Sequence, residues 1–496
     1  MSALPAWSSL VELLHPDGAP RVVRVLGSRF SEGAALHARG CDEGAKRAGL
    51  VVIAPSRQEG MGPEWLAKAT RTAGALLEDD GIVYALAERG WRRALVEGLA
   101  ESGLEVELVY LHHPQWTDPE LLIPVTYDAI AYAYSQLIHT NPVRRKAALA
   151  ALAVPGAMAV ARQLLPQTGL LARRPGSRPS LSWLPGGIGP GGRTVVQASW
   201  RGLAGAVLLH ALNDDATPAA ITKLWLTQRG QEACSRELAG LKLVAGTPAG
   251  ARVPRLLCHG NLGDRPYLVE DAVHGQKAAA VLDREPGRLR PTLSALTDWL
   301  SQWNATTAKP RLLTQDDTQR FLLEPARALR AQLGLGEEYE ARLQALGDEL
   351  RGQAMPFVAA HGDLTMVNVL LGKRGELGVI DWEAAAEDDL PLADFFYAAV
   401  DAVAASLGYA DRIAAWVTCF SPDGSHHHLI DRLQDLLVAR LGLTHGAVAL
   451  CFQATWLRHA VAEHRETAKA VPDEFLRIAQ RAGMALLHPA QTEGTG

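Results

Sequence analysis

The sequence predicts two bodies in tandem. An α/β domain with helices on the faces of a sheet is followed by an α+β domain of two lobes, the first strand-rich and the second helical. Three observations carry this. Residues 20 to about 140 alternate short β-branched runs with helical patterns. A Gly-, Pro- and Arg-rich stretch at 171–194 interrupts the chain. From about 193 strand-like runs come in quick succession, and after Gly275 the pattern turns mostly helical. The 496 residues also exceed the ~250–300 at which a single core stops growing. The expected division is a first domain over 1–170, a linker over 171–192, a strand-rich lobe over 193–275 and a helical lobe over 276–496.

In the first domain, RVVRVLG (21–27), GLVVIAPS (49–56), GIVYALA (81–87) and LEVELVYL (104–111) read as strands. The helical patterns PEWLAKATRTAGALLEDD and RRALVEGLAESG lie between them. The Ala-rich run KAALAALAVPGAMAVARQLL, broken at Pro155-Gly156, reads as a buried or amphipathic helix pair rather than a membrane span. The linker holds a literal G-x-G-x-x-G, Gly187 to Gly192. It follows Pro-punctuated coil and leads into a strand, whereas a dinucleotide site follows a strand and opens a helix. Beyond it come the strands RTVVQASW, GAVLLHAL and AAITKLWL, the helix GQEACSRELAGLKLV, and the strands RLLCHG and PYLVEDAV.

Bulk composition excludes several classes. A net charge of -5 and a pI near 6.4 give no reason to expect nucleic acid as a partner. Five scattered cysteines without a C-x-x-C pair suggest neither a zinc site nor a disulfide framework, and fit a reducing cytoplasm. The N-terminal segment does not read as a signal peptide, and no membrane partner is expected. His426–His428 and His112-His113 read as surface or packing residues, Glu387–Asp389 as a solvated loop, and Glu383 as a surface or outer-shell carboxylate.

The chemistry concentrates in HGDLTMVNVLLGKRGELGVIDWEAA, His361 to Ala385. VNVLL and LGVIDW read as strands joined by the turn GKRGE. A hairpin centred between Arg374 and Gly375 would set Leu371 opposite Gly378 and Asn368 opposite Asp381, with Cβ atoms ~4.5–5.5 Å apart. Asp363 enters the same end. Amide and carboxylate oxygens suit a hard cation such as Mg²⁺ shared with phosphates. A further carboxylate five residues before the Asn can take a proton from an attacking hydroxyl. These are the parts of the phosphoryl-transfer template. That template also needs a lysine paired to a helix glutamate, and Lys223 in AAITKLWL with Glu237 in the next helix suit the parts. PYLVEDAV would lead into a hinge where Glu270 to Ala272 meet adenine, and the turn WRGLAG (200–205) could cover the phosphates.

On HGDLTMVNVLL, GVIDWEAA and the later DLPLADFFY, residues 190 to about 480 resemble the aminoglycoside phosphotransferase/choline kinase-like family. The resemblance implies a protein kinase-like two-lobed fold and an ATP- and Mg²⁺-dependent transfer to a hydroxyl of a sugar, aminoglycoside or amino alcohol. It makes Asp363 the base, Asn368 and Asp381 the metal ligands, and Lys223, Glu237, Glu270 and Ala272 the nucleotide-binding residues. His361 would support the loop and Asp394 would be the structural aspartate. Three departures stand out: Thr365-Met366-Val367 before the Asn, Trp303-Asn304 where the family carries Leu-His, and Gly362 where protein kinases have Arg. No D-F-G or A-P-E follows, so a protein substrate and control by loop phosphorylation are not expected.

Residues 20–140 more loosely resemble the second half of a class I methyltransferase, a truncated Rossmann-like module. The turn after RVVRVLG carries a single glycine where the cofactor site needs several. Packing, homo-oligomerisation or acceptor delivery is therefore its expected use. A nucleotide-binding pseudokinase and a bifunctional methyltransferase–kinase are the alternatives.

Overall fold

The computed structural model describes residues 8–487 apart from 19, 21, 27–34, 37–46, 55–61, 115–118, 139–141, 186–190, 200–204, 228–229, 246–251 and 467–473. The turn after the first strand, most of the G-x-G-x-x-G stretch and all of the WRGLAG turn but Gly205 lie outside the described residues. The chain forms two compact units, one of Met1–Cys234 with Leu256–Ala272, the other of Ser235–Arg255 with Val273–Gly496.

In the first unit the strands are β1 Val23–Leu26, β2 Ala35–Leu36, β3 Ala48–Ile53, β4 Leu77–Glu88, β5 Glu105–Pro114, β6 Pro119–Pro124 and β7 Gln167–Arg173. They are followed by β8 Thr194–Ser199, β9 Ala206–Leu212, β10 Pro218–Trp225, β11 Leu256–Leu262 and β12 Arg265–Asp271. Its helices are α1 Ser8–Glu12, α2 Pro63–Leu76, α3 Arg92–Glu101, α4 Tyr127–Tyr132, α5 Pro142–Leu152 and α6 Ala157–Leu164. Helix α7, Gly230–Val244, begins there and continues in the second unit.

All twelve strands make one sheet, in the order β11-β12-β10-β9-β8-β6-β5-β7-β4-β3-β1-β2. β1, β3 and β4 run parallel, Val25 opposite Val52 and Val52 opposite Tyr84, and α2 crosses between β3 and β4 as the alternation of patterns requires. β7 lies antiparallel between β4 and β5.

The strands expected in two separate domains thus share one sheet, joined where β6 pairs with β8, Leu121 opposite Gln197 and Leu122 opposite Val196. Leu122 and Val196 are fully buried. Left unpaired, either strand would be an apolar edge open to unwanted pairing. The stretch read as a linker also begins inside β7: Leu171 and Ala172 are buried, and Leu181 and Leu184 beyond them pack into the core with Tyr84 and Val196. Apolar side chains outweigh the Gly and Pro punctuation there. The Ala-rich run does form a helix pair, broken at Gly156 with φ +83°, but no residue of α6 is buried.

The second unit adds β13 Gln276–Lys277, β14 Lys309–Leu312, β15 Ala354–Ala360, β16 Val369–Leu371, β17 Leu377–Val379 and β18 Ala386–Asp389. They form two small sheets, β13-β16-β17 and β14-β15-β18. The rest is helical: α8 Ala278–Arg284, α9 Leu289–Thr307, α10 Gln315–Thr318, α11 Glu324–Ala328, α12 Arg330–Leu333, α13 Gly336–Leu350, α14 Ala393–Ser406, α15 Arg412–Phe420, α16 His427–Leu441, α17 His445–Glu466 and α18 Glu474–Leu487. Helix α14 is buried from Ala393 to Ala405 and apolar almost all round, as a helix through the middle of a core must be. No single helix among the described residues is long and apolar enough to cross a membrane.

Candidate active site

The site is built on the chain from β15 to β18. Strand β15 ends at Ala360, and His361 is fully buried against Trp382, ring centroids 4.7 Å apart. Its Nε2–H donates to the carbonyl of Ile380 (3.0 Å) and its Nδ1 accepts the N–H of Asp363 (3.3 Å). Those two partners require the neutral imidazole with the proton on Nε2. Asp394 accepts the backbone N–H of His361 (2.6 Å) and of Gly362 (2.9 Å), one on each oxygen. Gly362 has φ +82°, and a Cβ there would stand 2.3 Å from the carbonyl oxygen of Ala384. Both the backbone conformation and the space require glycine.

The hairpin register differs from the expectation by one residue. Leu371 faces Leu377, Leu370 faces Gly378, and the N–H of Ile380 donates to the carbonyl of Asn368 (3.0 Å), so Asn368 lies opposite Ile380 and not Asp381. The turn explains the slip. Gly375 at φ +84° and the bond from Gly372 N–H to Glu376 O (2.8 Å) close a three-residue loop rather than a symmetric two-residue turn. Strand alternation alone would then turn Asp381 away from Asn368. Asp381 instead leaves the strand in the left-handed region, at φ +69°. A non-glycine residue there stores about 1–3 kcal/mol, which persists only where the surroundings hold it. The holding groups are at hand: Trp382 donates its N–H to Glu237 (3.2 Å) and its indole N–H to Val379 O (3.1 Å).

Asn368 donates its amide N–H to both the carbonyl (3.0 Å) and the carboxylate (3.1 Å) of Asp363. Its Oδ1 makes no hydrogen bond among the described residues. The Asp363 carboxyl is pushed up to about 7, first by burial and then by the negative charges of Asp381 and Asp401, while hydrogen bonds from Asn368 and the Tyr397 hydroxyl pull the other way. A carboxylate so poised is suited to proton transfer near neutral pH.

Tyr397 and Asp401 were not singled out in the sequence. They stand three and seven residues after Asp394, on one face of α14. Asp401 accepts the N–H of Met366 (2.6 Å) and the hydroxyl of Tyr409 (3.0 Å), and pairs with Arg412 (3.3 Å). One helix face thus holds the loop at His361-Gly362, at Asp363 and at Met366. The readable signal is a helical spacing of polar groups in an otherwise apolar run, ADFFYAAVD. Met366 is fully buried, so the unusual Thr-Met-Val carries an anchor at its centre, while Val367 is exposed. Asn304, at the place of the family's histidine, donates to the carbonyl of Pro391 (2.8 Å).

The expected nucleotide residues fall in both units. Lys223 and Glu270 belong to the first unit and pair there across β10 and β12 at 3.5 Å, both largely buried. Glu237, 1% exposed, lies in the second unit on the Trp382 amide. The Ala272 N–H donates to Ala219 O (3.1 Å).

No curated protein matches the sequence. Residues 210–424 match the model of the phosphotransferase enzyme family, APH, and this segment holds every site residue named above. Over this segment the chain is similar to that family. Among solved structures, it is similar to choline kinase LicA from Streptococcus pneumoniae (13% identity, 57% of this chain and 89% of that chain, TM-score 0.36). It is also similar to aminoglycoside phosphotransferase APH(3'')-Id from Streptomyces rimosus in complex with ADP and streptomycin (14%, 52% and 90%, 0.35). A third is macrolide 2'-phosphotransferase MphH from Brachybacterium faecium (16%, 60% and 93%, 0.32).

Proposed function

We propose that the protein transfers the γ-phosphoryl group of ATP to a hydroxyl of a small molecule, with Asp363 as the base. The observation that carries this is the Asp363 carboxyl, half-buried, held by the Asn368 amide and raised to about 7. In the reaction Asp363 takes the hydroxyl proton as the acceptor oxygen bonds to the γ-phosphorus. The bond from that phosphorus to the β–γ bridging oxygen breaks, and ADP departs. Asn368 keeps the carboxylate turned to the acceptor, and the α14 contacts hold the loop still, so that positioning supplies much of the effect.

The residues present fit Mg²⁺. Asn368 spends its N–H on Asp363 and has Oδ1 left over, and the strained Asp381 offers a second hard oxygen. Among the described residues no cluster of three or more His, Cys, Asp or Glu could hold a metal alone. That suits an ion which takes few protein ligands and shares the rest with phosphates and water. When bound, it would neutralise charge on the β- and γ-phosphates. The resemblance adds Lys223 as a phosphate ligand to this proposal.

The test is an acceptor screen with γ-labelled ATP across sugars, aminoglycosides, macrolides and amino alcohols. Wild type should label one class. Asp363→Asn should lose about 10²–10⁴-fold in kcat, the usual worth of a general base. Wild type that labels no hydroxyl, or Asp363→Asn that labels as fast, overturns the reading.

For the first unit we propose a scaffolding use without S-adenosylmethionine, supported by β6 and β8, which merge its α/β strands with those next in the chain. Calorimetry of the whole protein with S-adenosylmethionine should give no heat.

A further inference from the structure

We propose that Lys277 is a phosphate-binding residue, its ammonium meeting the terminal phosphates of a nucleoside triphosphate at the Asn368–Asp381 end of the catalytic hairpin. The assignment rests on the phosphotransferase reading above and adds a residue that neither the motif nor the resemblance contains.

Position comes first. Gln276 and Lys277 pair antiparallel with Leu371 and Leu370 of β16, the strand that Asn368 opens. Two residues after Lys277, the N–H of Ala279 donates to the carbonyl of Met366 inside the catalytic loop (2.9 Å). The backbone is therefore tied to the hairpin on one side of Lys277 and to the loop on the other. Helix α8 follows at once, with Ala278 and Leu282 fully buried, which fixes where the side chain starts.

Charge comes second. Lys223 and Lys309 each pair with a carboxylate, at 3.5 and 3.2 Å. Lys277 is half-buried and forms no ion pair among the described residues. Burial disfavours its charged form, and Asp381 is the one charge that opposes this. A half-buried ammonium in no ion pair among the described residues carries a desolvation cost that an arriving anion offsets. The surrounding oxygens select the anion. Asp381 repels a simple carboxylate, whereas a phosphate chain bound with a divalent cation brings its own positive charge to Asp381 and leaves oxygens for the lysine. Lysine suits that task, because a compact point charge on a flexible stem can follow a phosphate between ground and transition states.

The experiment is calorimetry on the full-length protein with Mg-ATP, Mg-ADP and adenosine, comparing wild type, Lys277→Met and Lys277→Arg. Thermal unfolding of each variant is followed in parallel. Lys277→Met should bind ATP about 10–100-fold more weakly and ADP less so, the range for one charged hydrogen bond, with adenosine binding and Tm unchanged. Lys277→Arg should recover most of the ATP affinity. Equal loss for all three ligands makes the lysine structural and overturns the assignment. So does unchanged ATP affinity in Lys277→Met beside a wild type that binds it. A wild type that binds none of the three overturns the phosphotransferase reading and Lys277 with it.

Discussion

Two groups of aspartates in the second unit behave in opposite ways. Around the loop from His361 to Asn368, the charges of Asp381 and Asp401 act on Asp363 and its carboxyl is raised to about 7. At the start of α10, burial would also raise Asp317. There the fork of Arg311 (2.7 and 2.8 Å), with the hydroxyl (2.6 Å) and N–H (2.9 Å) of Thr314, outweighs it and brings the carboxyl down to about 2. Arg311 also reaches Asp388 (2.9 Å) and lies over the ring of Phe357. The second group spends its charge on holding β14 to α10. The first leaves Asp363 in no ion pair among the described residues, which is costly for the fold and useful to a reaction that brings a proton and a cation.

The contrast can be broken at the loop most severely. Gly362→Ala meets both a left-handed φ and the Ala384 carbonyl, so a loss of about 2–4 kcal/mol is expected, with Asp363 displaced. Chemical denaturation and kcat should fall together. Gly375→Ala, with the same sign of φ but open space, serves as the control and should cost about 1 kcal/mol with kcat unchanged. An unchanged Gly362→Ala would mean that the loop is not held as described.

Next is the helix clamp. Asp401→Ala leaves the Met366 N–H and the Tyr409 hydroxyl without their acceptor and removes one of the two carboxylates paired with Arg412, at about 1–3 kcal/mol. Asp401→Asn keeps an acceptor for the amide. If Asp401 positions the loop, kcat should drop in the Ala variant with KM for ATP unchanged, and the Asn variant should recover much of it. Equal behaviour of the two variants would reduce Asp401 to a core residue.

The smallest effect sharpens the other side. Asp317 has a folded pKa below its unfolded one, so its stabilisation is fully present above about pH 4 and is lost as pH falls from there towards 2. The contribution is of the order of 1–2 kcal/mol. Unfolding titrations of wild type and Asp317→Asn should converge over that window. Parallel curves would show that the Arg311 fork does not hold the charge.

Much of the fold was legible because its signals are local. Alternating β-branched runs placed β1, β3, β4 and β5, and helical periodicity placed α2 and α3. The candidate site residues His361, Asp363, Asn368, Asp381 and Asp394 could be proposed from sequence because their order and spacing lie within one stretch of chain. Register was less so, since one left-handed glycine, Gly375, shifts the whole hairpin by a residue. Tyr397 and Asp401 were overlooked because a polar residue on an apolar helix has no meaning until its partner is known.

The sequence by itself determined which side chains can do chemistry here, because residue type and spacing along a short segment set what oxygens and amides are available. Only the tertiary structure decided how they are held. The joining of β6 to β8, the turn of Asp381 to φ +69°, the raised carboxyl of Asp363 and the pairing of Lys277 with Leu370 all depend on burial and on groups far away in the chain. Those are long-range quantities, and no local pattern encodes them.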